Sequence, residues 1–244
     1  MKNDILVEAV GLVKRHVAAS GLVLALDGVD LTVRAGELVA LVGPTGSGKS
    51  TLLTLLAGLE TPDAGTITLL GQRLDACNLD KLADLRSQAV GFIYQSYNLF
   101  PGFTVGENVG LPLRLMIRPP FDAQQRTIGL LRELGMSEWA NRYPPELSGG
   151  QQQMVAIARA LAANPPLILA DEPTANLDSA TARQLVARLR TLANSGNHGV
   201  LLATHDLRTA SQADRVLTLR DGKIAKETVL QPGRTTSAVL AELA

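Results

Sequence analysis

The sequence has few aromatic residues, a single cysteine and no excess of charge of either sign. Aromatics make up 3% of the 244 residues, which argues against a surface that stacks the bases of single-stranded nucleic acid. The 23 basic residues balance 23 acidic ones, so no overall field attracts a polyanion. The lone Cys77 cannot form an internal disulfide and suits a reducing compartment. We therefore expect a cytoplasmic chain with no nucleic-acid partner.

Long hydrophobic runs are also missing. The longest apolar stretches, near residues 38–42 and 52–59, are far shorter than the roughly 20 residues that span a bilayer. Residues 5–13 are interrupted by Glu8 and lack a small-residue cleavage pattern, so they favour a first strand over a signal peptide. No fixed-period repeat is visible, and we expect residues 1–244 to form one folded unit.

The first part of the chain has the patterns of two kinds of strand. Residues 24–33 alternate loosely between apolar and polar side chains, as in antiparallel strands with one face in water. Residues 38–42 are continuously apolar, as expected of a parallel strand buried on both faces. Residues 49–57 then carry leucines at helical spacing, and Gly58 stands where a left-handed cap would end a helix.

The pattern changes at residue 95. Residues 95–163 have helical periodicity broken by several prolines, which predicts an α-helical insertion. Strands and helices then alternate in the βαβ order of a parallel sheet. The segments assigned outside the insertion are strands at 66–70, 90–94, 167–170 and 200–204, a helix at 179–193, and a hairpin formed by 216–219 and 223–225 with its turn at Asp221 and Gly222. Residues 1–94 and 164–226 thus contain the sheets, and 227–244 form a C-terminal tail.

A glycine-rich segment after the buried strand matches the phosphate-loop pattern G-x-x-x-x-G-K-[ST]. It lies between a strand and a helix, where backbone N–H groups and the helix dipole converge on phosphate oxygens. Lys49 would reach the terminal phosphates and Ser50 would ligate Mg²⁺. The predicted nucleotide-binding residues of this segment are Gly43, Pro44, Thr45, Gly46, Ser47, Gly48, Lys49, Ser50 and Thr51.

Two adjacent acids follow the apolar strand at 167–170. A pair such as Asp171 and Glu172 is most often part of a solvated loop, but the end of a buried strand favours a functional role. Pro173 is expected to hold Glu172 in an extended conformation. Because open α/β sheets bind ligands at this edge, Asp171 would hold the metal through water and Glu172 would polarise the attacking water.

A second anion-binding segment is predicted at the start of a later helix. Ser148 is interpreted as the N-cap, and Gly149 and Gly150 leave backbone N–H groups bare in the first turn. An ordinary capped helix is the alternative interpretation. With Leu147 and Gln151, these residues read Leu-Ser-Gly-Gly-Gln.

This pentapeptide resembles the signature of ABC transporter ATPases, and the resemblance extends from about residue 5 to about residue 226. It implies an α/β fold of the P-loop NTPase, RecA-like type, with a parallel-sheet core, an N-terminal antiparallel β subdomain and an inserted α-helical subdomain. It also implies a dimer with a second ABC ATPase subunit, in which ATP on the Lys49 loop of one subunit is covered by Ser148 and Gly150 of the other. The implied cofactors are ATP and Mg²⁺, and the implied location is the inner face of the membrane, through an integral membrane permease.

Other family positions follow in order. Gln95 resembles the Q-loop glutamine, which contacts the metal and the membrane partner, and Asp178 closes a segment similar to the D-loop. His205 resembles the switch histidine that reaches the terminal phosphate, although a lone histidine at a strand end is usually only a satisfied polar group. The sequence of residues 92–112 is similar to that of the lipoprotein-releasing and macrolide-export subfamily, whose members expel or extract lipids, peptides or drugs.

Two positions depart from the family pattern. His16 stands where an aromatic residue usually stacks on adenine, and it is either a smaller platform or an exposed strand residue. Met154 replaces an arginine after the signature, and it either slows hydrolysis or simply packs. Two other classes stay open at this point, a soluble ABC-like ATPase acting on a nucleic-acid or ribosomal partner and a P-loop kinase. The single set of motifs and the absence of heptads disfavour the first, and a kinase would not need the signature or D-loop.

Overall fold

The computed structural model describes residues 4–18 and 21–231. Its central sheet has six strands: β3 (Leu38–Val42), β6 (Val90–Ile93), β7 (Leu167–Asp171), β8 (Gly199–Thr204), β9 (Arg215–Arg220) and β10 (Lys223–Val229). Their order is β10-β9-β3-β8-β7-β6. All neighbouring pairs are parallel except β9 and β10. The predicted parallel-sheet core is confirmed.

Strand β3 has the predicted bounds because both of its faces are covered. Val39 and Leu41 pack into one core cluster with helix α1 (Lys49–Leu56). Leu38 and its even-numbered neighbours pack into a second cluster with helix α6 (Ser179–Asn194). A short helix, α7 (Leu207–Ala210), follows β8 on the side of the second cluster. The alternation of side chains along a strand therefore divides β3 between two cores.

A four-stranded antiparallel sheet covers the first core cluster. Its strands are β1 (Ile5–Ala18), β2 (Gly21–Arg34), β4 (Ala64–Leu69) and β5 (Gln72–Arg73). Their order is β2-β1-β4-β5. The predicted antiparallel β subdomain is thus confirmed.

The predicted helical insertion is also present and has its own core. It contains α3 (Val105–Leu115), α4 (Ala123–Glu133) and α5 (Gly149–Leu161). Side chains from all three helices pack into a third apolar cluster. Within residues 4–18 and 21–231, no helix combines the length and the apolar character needed to cross a bilayer.

The end of the chain differs from the prediction. The hairpin turn is confirmed, since Asp221 and Gly222 have φ angles of 49° and 74°, as a two-residue hairpin turn requires. However, β10 continues to Val229, and the buried Leu230 donates its N–H to the carbonyl of Asp214. A tail that begins at residue 227 is therefore wrong. Residues 232–244 of that tail lie outside the described residues.

Helix α2 (Leu79–Ala89), which lies between β5 and β6 in the chain, was not predicted from the sequence patterns. Only Leu85 and Ala89 of its eleven residues are buried, so the apolar periodicity that reveals a helix is weak here. Its N-cap, Asn78, accepts a hydrogen bond from the N–H of Lys81.

Candidate functional site

The phosphate loop connects β3 to α1 and is pressed against neighbouring backbone. A methyl group at Gly43 would lie 2.2 Å from the carbonyl oxygen of Leu219. Gly48, with φ of 104°, would place one 2.4 Å from the carbonyl oxygen of Ala25. Both positions therefore require glycine, which leaves the backbone N–H groups of the loop free to approach phosphate oxygens.

Lys49 closes the loop from the first turn of α1. Its Nζ donates to the carbonyls of Gly43 at 2.8 Å and Pro44 at 3.2 Å, and the residue is only 8% exposed. The same Nζ lies 3.8 Å from Oε1 of Glu172. The loop thus holds a positive charge beside a carboxylate, and this charge belongs to the lysine that the sequence predicts to reach terminal phosphates.

Glu172 lies at the centre of this group. Its N–H donates to the carbonyl of Ala203 at 3.0 Å, and its Oε2 is 2.9 Å from Nδ1 of His205. The predicted extended conformation is wrong, because its φ is +44°. The proline that follows excludes only the right-handed helical region well, and the contacts with Ala203, His205 and Lys49 hold the residue in the left-handed region. Such backbone strain is found mainly at functional sites.

Asp171 is the last residue of β7, and its partly buried carboxyl group is not fully hydrogen-bonded. Its Oδ1 has no hydrogen-bond partner within the described residues. Burial raises the pKa of this carboxyl above its usual value, and a hydrogen bond from the Ser50 hydroxyl opposes the shift. The nearby charge of Glu172 raises the pKa further, whereas Lys49 lowers it. An unpaired carboxylate oxygen beside a serine hydroxyl is a donor set that suits Mg²⁺.

We expect Asp171→Asn to stabilise the nucleotide-free protein while it abolishes Mg²⁺-dependent hydrolysis. A raised pKa means that the folded state holds its proton to higher pH than the unfolded chain, so the ionised carboxylate destabilises the fold at neutral pH. Calorimetry should show a Tm gain of about 1 to 3 °C at pH 7.5. The gain should shrink as the pH falls toward the ordinary value of 3.8. Asp80→Asn, on the exposed first turn of α2, is the control and should not raise Tm.

The signature segment begins helix α5 with the predicted cap. The Ser148 Oγ accepts from the N–H of Gln151 at 3.4 Å, and Gln151 Oε1 accepts from the N–H of Ser148 at 2.8 Å. This reciprocal capping box uses the serine oxygen as an acceptor. Its hydroxyl proton therefore stays available to a phosphate oxygen. Within the described part of the chain, no hydrogen bond or ion pair joins this segment to Lys49, Glu172 or His205.

The Q-loop and D-loop positions touch each other. The side-chain amide of Asn176 donates to the backbone carbonyl of Gln95 at 3.2 Å, while the Gln95 side chain is exposed. Asp178 is the N-cap of α6 and accepts from the N–H groups of Ala180 and Thr181. The hydroxyl of Thr181 also donates to it and lowers the pKa of its carboxyl. In this structure Asp178 is therefore engaged by its own helix.

The two residues that depart from the family pattern have clear surroundings. His16, on β1, places its Nε2 3.2 Å from Oγ1 of Thr51 in the first turn of α1. The imidazole therefore lies next to the phosphate-binding helix. Met154 packs against both the second and the third core clusters, so its predicted packing role is confirmed.

Sequence patterns missed the environment of Arg159. This half-buried side chain on α5 donates to the carbonyls of Asn98 at 2.5 Å and Tyr97 at 2.7 Å. Its position four residues after the fully buried Val155 places it on the inner face of the helix. A charged residue on the inner face of a helix is the signal that could have predicted these partners, because a buried charge needs polar groups around it.

Residues 26–175, more than half of the chain, match the ABC transporter family. The chain belongs to this family. Its structure superposes on a dimeric ATP-binding cassette, MJ0796, in a post-hydrolysis state bound to ADP and Pi, with a TM-score of 0.86 and 37% identity. That match covers 92% of this chain and 99% of the cassette.

Curated relatives place this ABC protein in the expected subfamily. It is 42% identical over 222 residues to the lipoprotein-releasing system ATP-binding protein LolD of Legionella pneumophila (strain Lens), covering 91% of this chain and 98% of LolD. It is 47% identical over 204 residues to the macrolide export ATP-binding/permease protein MacB of Nitrosomonas europaea, covering 84% of this chain. The matched part is 31% of that larger relative. The predictions of an ABC-type ATPase and of resemblance to the lipoprotein-releasing and macrolide-export subfamily are confirmed.

Proposed function

We propose that this ABC ATPase hydrolyses MgATP as a dimer on the inner face of the cell membrane and drives a separate permease that exports or extracts a lipid, lipoprotein, peptide or drug. The observation that carries the proposal is the Lys49, Glu172 and His205 group at the carboxyl edge of a parallel sheet. The similarity to LolD, an ATP-binding protein of a lipoprotein-releasing system, supports a transport role.

The chemistry proposed for the site assigns one role to each side chain. Glu172 takes a proton from the attacking water, and Lys49 balances negative charge on the transferred phosphoryl group. His205, whose side chain is 70% exposed and bound to Glu172, is free to turn toward a terminal phosphate. When bound, Mg²⁺ would neutralise charge on the phosphates.

The proposed metal ligands are Ser50, Asp171 and Gln95. The unpartnered Oδ1 of Asp171 supports the assignment. The described residues contain no cluster of three or more metal-binding side chains, and Mg²⁺ is usually held by one or two carboxylates together with substrate phosphates.

At the other end of the nucleotide, His16 would support the base. The adjoining hairpin residues Val17 and Leu22 are 88% and 68% exposed, which provides an apolar surface for it.

The other half of the site would come from a second ATPase subunit. Ser148 and Gly150 form the capped N-terminus of α5, which attracts anions. Because no hydrogen bond or ion pair within the described residues joins it to its own phosphate loop, it is available to the partner's ATP. The dimeric state of two structurally similar cassettes supports this arrangement.

The permease is proposed to dock in a groove of 840 Å³ between the central sheet and the helical insertion. The groove is lined by Tyr94, Asn98, Phe100, Leu115, Ile117 and Arg159, among others. Leu115 is 73% exposed and Ile117 is 83% exposed. Apolar side chains exposed together in a concave surface are typical of a protein interface.

Charged substitutions in this groove test the permease assignment. In cells that co-express an integral membrane permease of the lipoprotein-releasing type, Leu115→Asp and Ile117→Asp should each reduce co-purification in detergent by about tenfold or more. Basal ATPase activity should stay within about twofold of wild type, because neither residue touches the nucleotide site. Val229→Asp, at a 65% exposed position on the edge strand β10, is the control and should co-purify normally. Undiminished co-purification of both groove variants would contradict docking at this surface.

A further inference from the structure

The loop between β6 and α3 is fastened to the signature helix at two points. Arg159, on the second half of α5, donates to the carbonyls of Tyr97 and Asn98. At the start of α5, a methyl group added to Gly149 would lie 2.9 Å from the Tyr97 hydroxyl oxygen and 3.9 Å from Cζ of its ring. The loop therefore touches both the first turn and the body of the same helix.

The fastened part of the loop is under backbone strain. Tyr97 and Asn98 have φ angles of +61° and +50°, and two consecutive left-handed residues other than glycine are unfavourable. The Asn98 N–H also donates to the carbonyl of Ser96, at 2.6 Å. A guanidinium that donates to two adjacent carbonyls opposes this strain, because charge-assisted hydrogen bonds are strong and Arg presents its donors in a fixed fork.

The same residues border the groove proposed for the permease. Asn98 and Arg159 both line it, together with Tyr94. A partner segment that fills this part of the groove would therefore contact Arg159, which holds the strained loop. A continuous set of contacts runs from the groove through Arg159 and Tyr97 to Gly149, next to the proposed phosphate-binding Ser148.

We propose that Arg159 and Tyr97 act as a latch that positions the signature motif of their own subunit for the ATP of the partner. Both are positioning residues, since neither touches the nucleotide in its own phosphate loop. The inference rests on the proposed shared site. Beyond the shared site, the proposal states that the loop at Tyr97 and Asn98 positions the signature segment through the side chains of Arg159 and Tyr97.

Mixed dimers with a single functional site separate the contribution of the signature segment from that of the phosphate loop. One subunit carries Lys49→Ala, so it donates only its signature, and the other carries Ser148→Arg, so it donates only its phosphate loop. Arg159→Gln in the signature donor should lower ATPase activity by about fivefold or more, whereas in the loop donor the loss should be under about twofold. Arg159→Lys in the signature donor should recover part of the rate, because the charge remains.

Arg126→Gln is the matched control. Arg126 is also half-buried and donates to the carbonyls of Leu161, the last residue of α5, and of the C-cap Ala162, but no hydrogen bond joins it to the loop within the described residues. It should have less than about a twofold effect in either subunit. Circular dichroism and thermal unfolding of each variant would separate misfolding from mispositioning. Equal losses from Arg159→Gln in both subunits would overturn the latch, and an inactive parent pair would instead overturn the shared site.

A rescue experiment tests the Tyr97 contact without depending on Arg159. Gly149→Ala in the signature donor should reduce activity by about fivefold, because the new methyl group meets the tyrosine hydroxyl. Adding Tyr97→Phe removes that hydroxyl and leaves the 3.9 Å ring contact, so at least about half of the lost rate should return. Failure of Tyr97→Phe to restore any activity would refute the role of Tyr97.

Discussion

Glu172→Gln should bind ATP with nearly wild-type affinity and accumulate as a closed dimer that scarcely hydrolyses. The amide keeps the size of the side chain but cannot accept the proton of the attacking water. Loss of such a general base lowers kcat by about 100- to 10,000-fold. ATP affinity should change by less than about threefold, because the phosphate loop and Lys49 remain in place.

Three measurements on one preparation check this expectation. Sedimentation velocity with and without MgATP should show an ATP-dependent dimer of the variant, a colorimetric phosphate assay should show the loss of turnover, and a fluorescent ATP analogue should report binding. Glu138→Gln, an exposed position on the helical insertion, is the matched control and should retain full activity. Normal turnover by the Glu172 variant would remove this residue from the proposed role.

Two inactive variants should restore one another when they share a dimer. Lys49→Ala removes the charge that reaches the phosphates, and Ser148→Arg blocks the capped start of α5. Paired, they form one dead site and one intact site, because the intact phosphate loop of one subunit faces the intact signature of the other. The mixed dimer should reach at least about a tenth of the wild-type rate, against less than about a hundredth for either variant alone.

Affinity tags of two kinds allow this mixed dimer to be isolated before it is assayed. The control is the double variant Lys49→Ala with Ser148→Arg mixed with wild type, which places both defects on one chain. That pair should stay nearly inactive, because each of its two sites lacks one half. If a single subunit hydrolysed ATP alone, the complementing pair would stay inactive while the wild-type subunit of the control kept its activity, which would contradict the shared site.

The sequence predicted best the elements whose side chains repeat a simple pattern. Strand β3 was placed with its bounds because Leu38–Val42 is apolar on both faces. The cap at Ser148 was predictable because serine and Gln151 are spaced for a reciprocal cap. Helix α2 was missed because its surface is mostly exposed and only two residues carry the apolar signal.

Contacts between distant parts of the chain could not be predicted. The left-handed backbone of Glu172 depends on Ala203 and His205, more than 30 positions away. Arg159 reaches carbonyls 61 and 62 positions away. Local propensity carries no information on such partners, so the sequence predicted candidate residues for the site but not their arrangement.

The ion pair between Lys49 and Glu172 has a consequence for the enzyme at rest. Before ATP arrives, the lysine that would bind its phosphates already lies beside the carboxylate that would take a proton from the attacking water. The two charged atoms are 3.8 Å apart. A polyphosphate brings several negative charges to the same ammonium group and competes for it, because opposite charges attract most strongly where water is excluded. In the proposed mechanism, ATP binding would therefore separate Glu172 from its counterion, whereas in the empty subunit the charges of Lys49 and Glu172 balance each other.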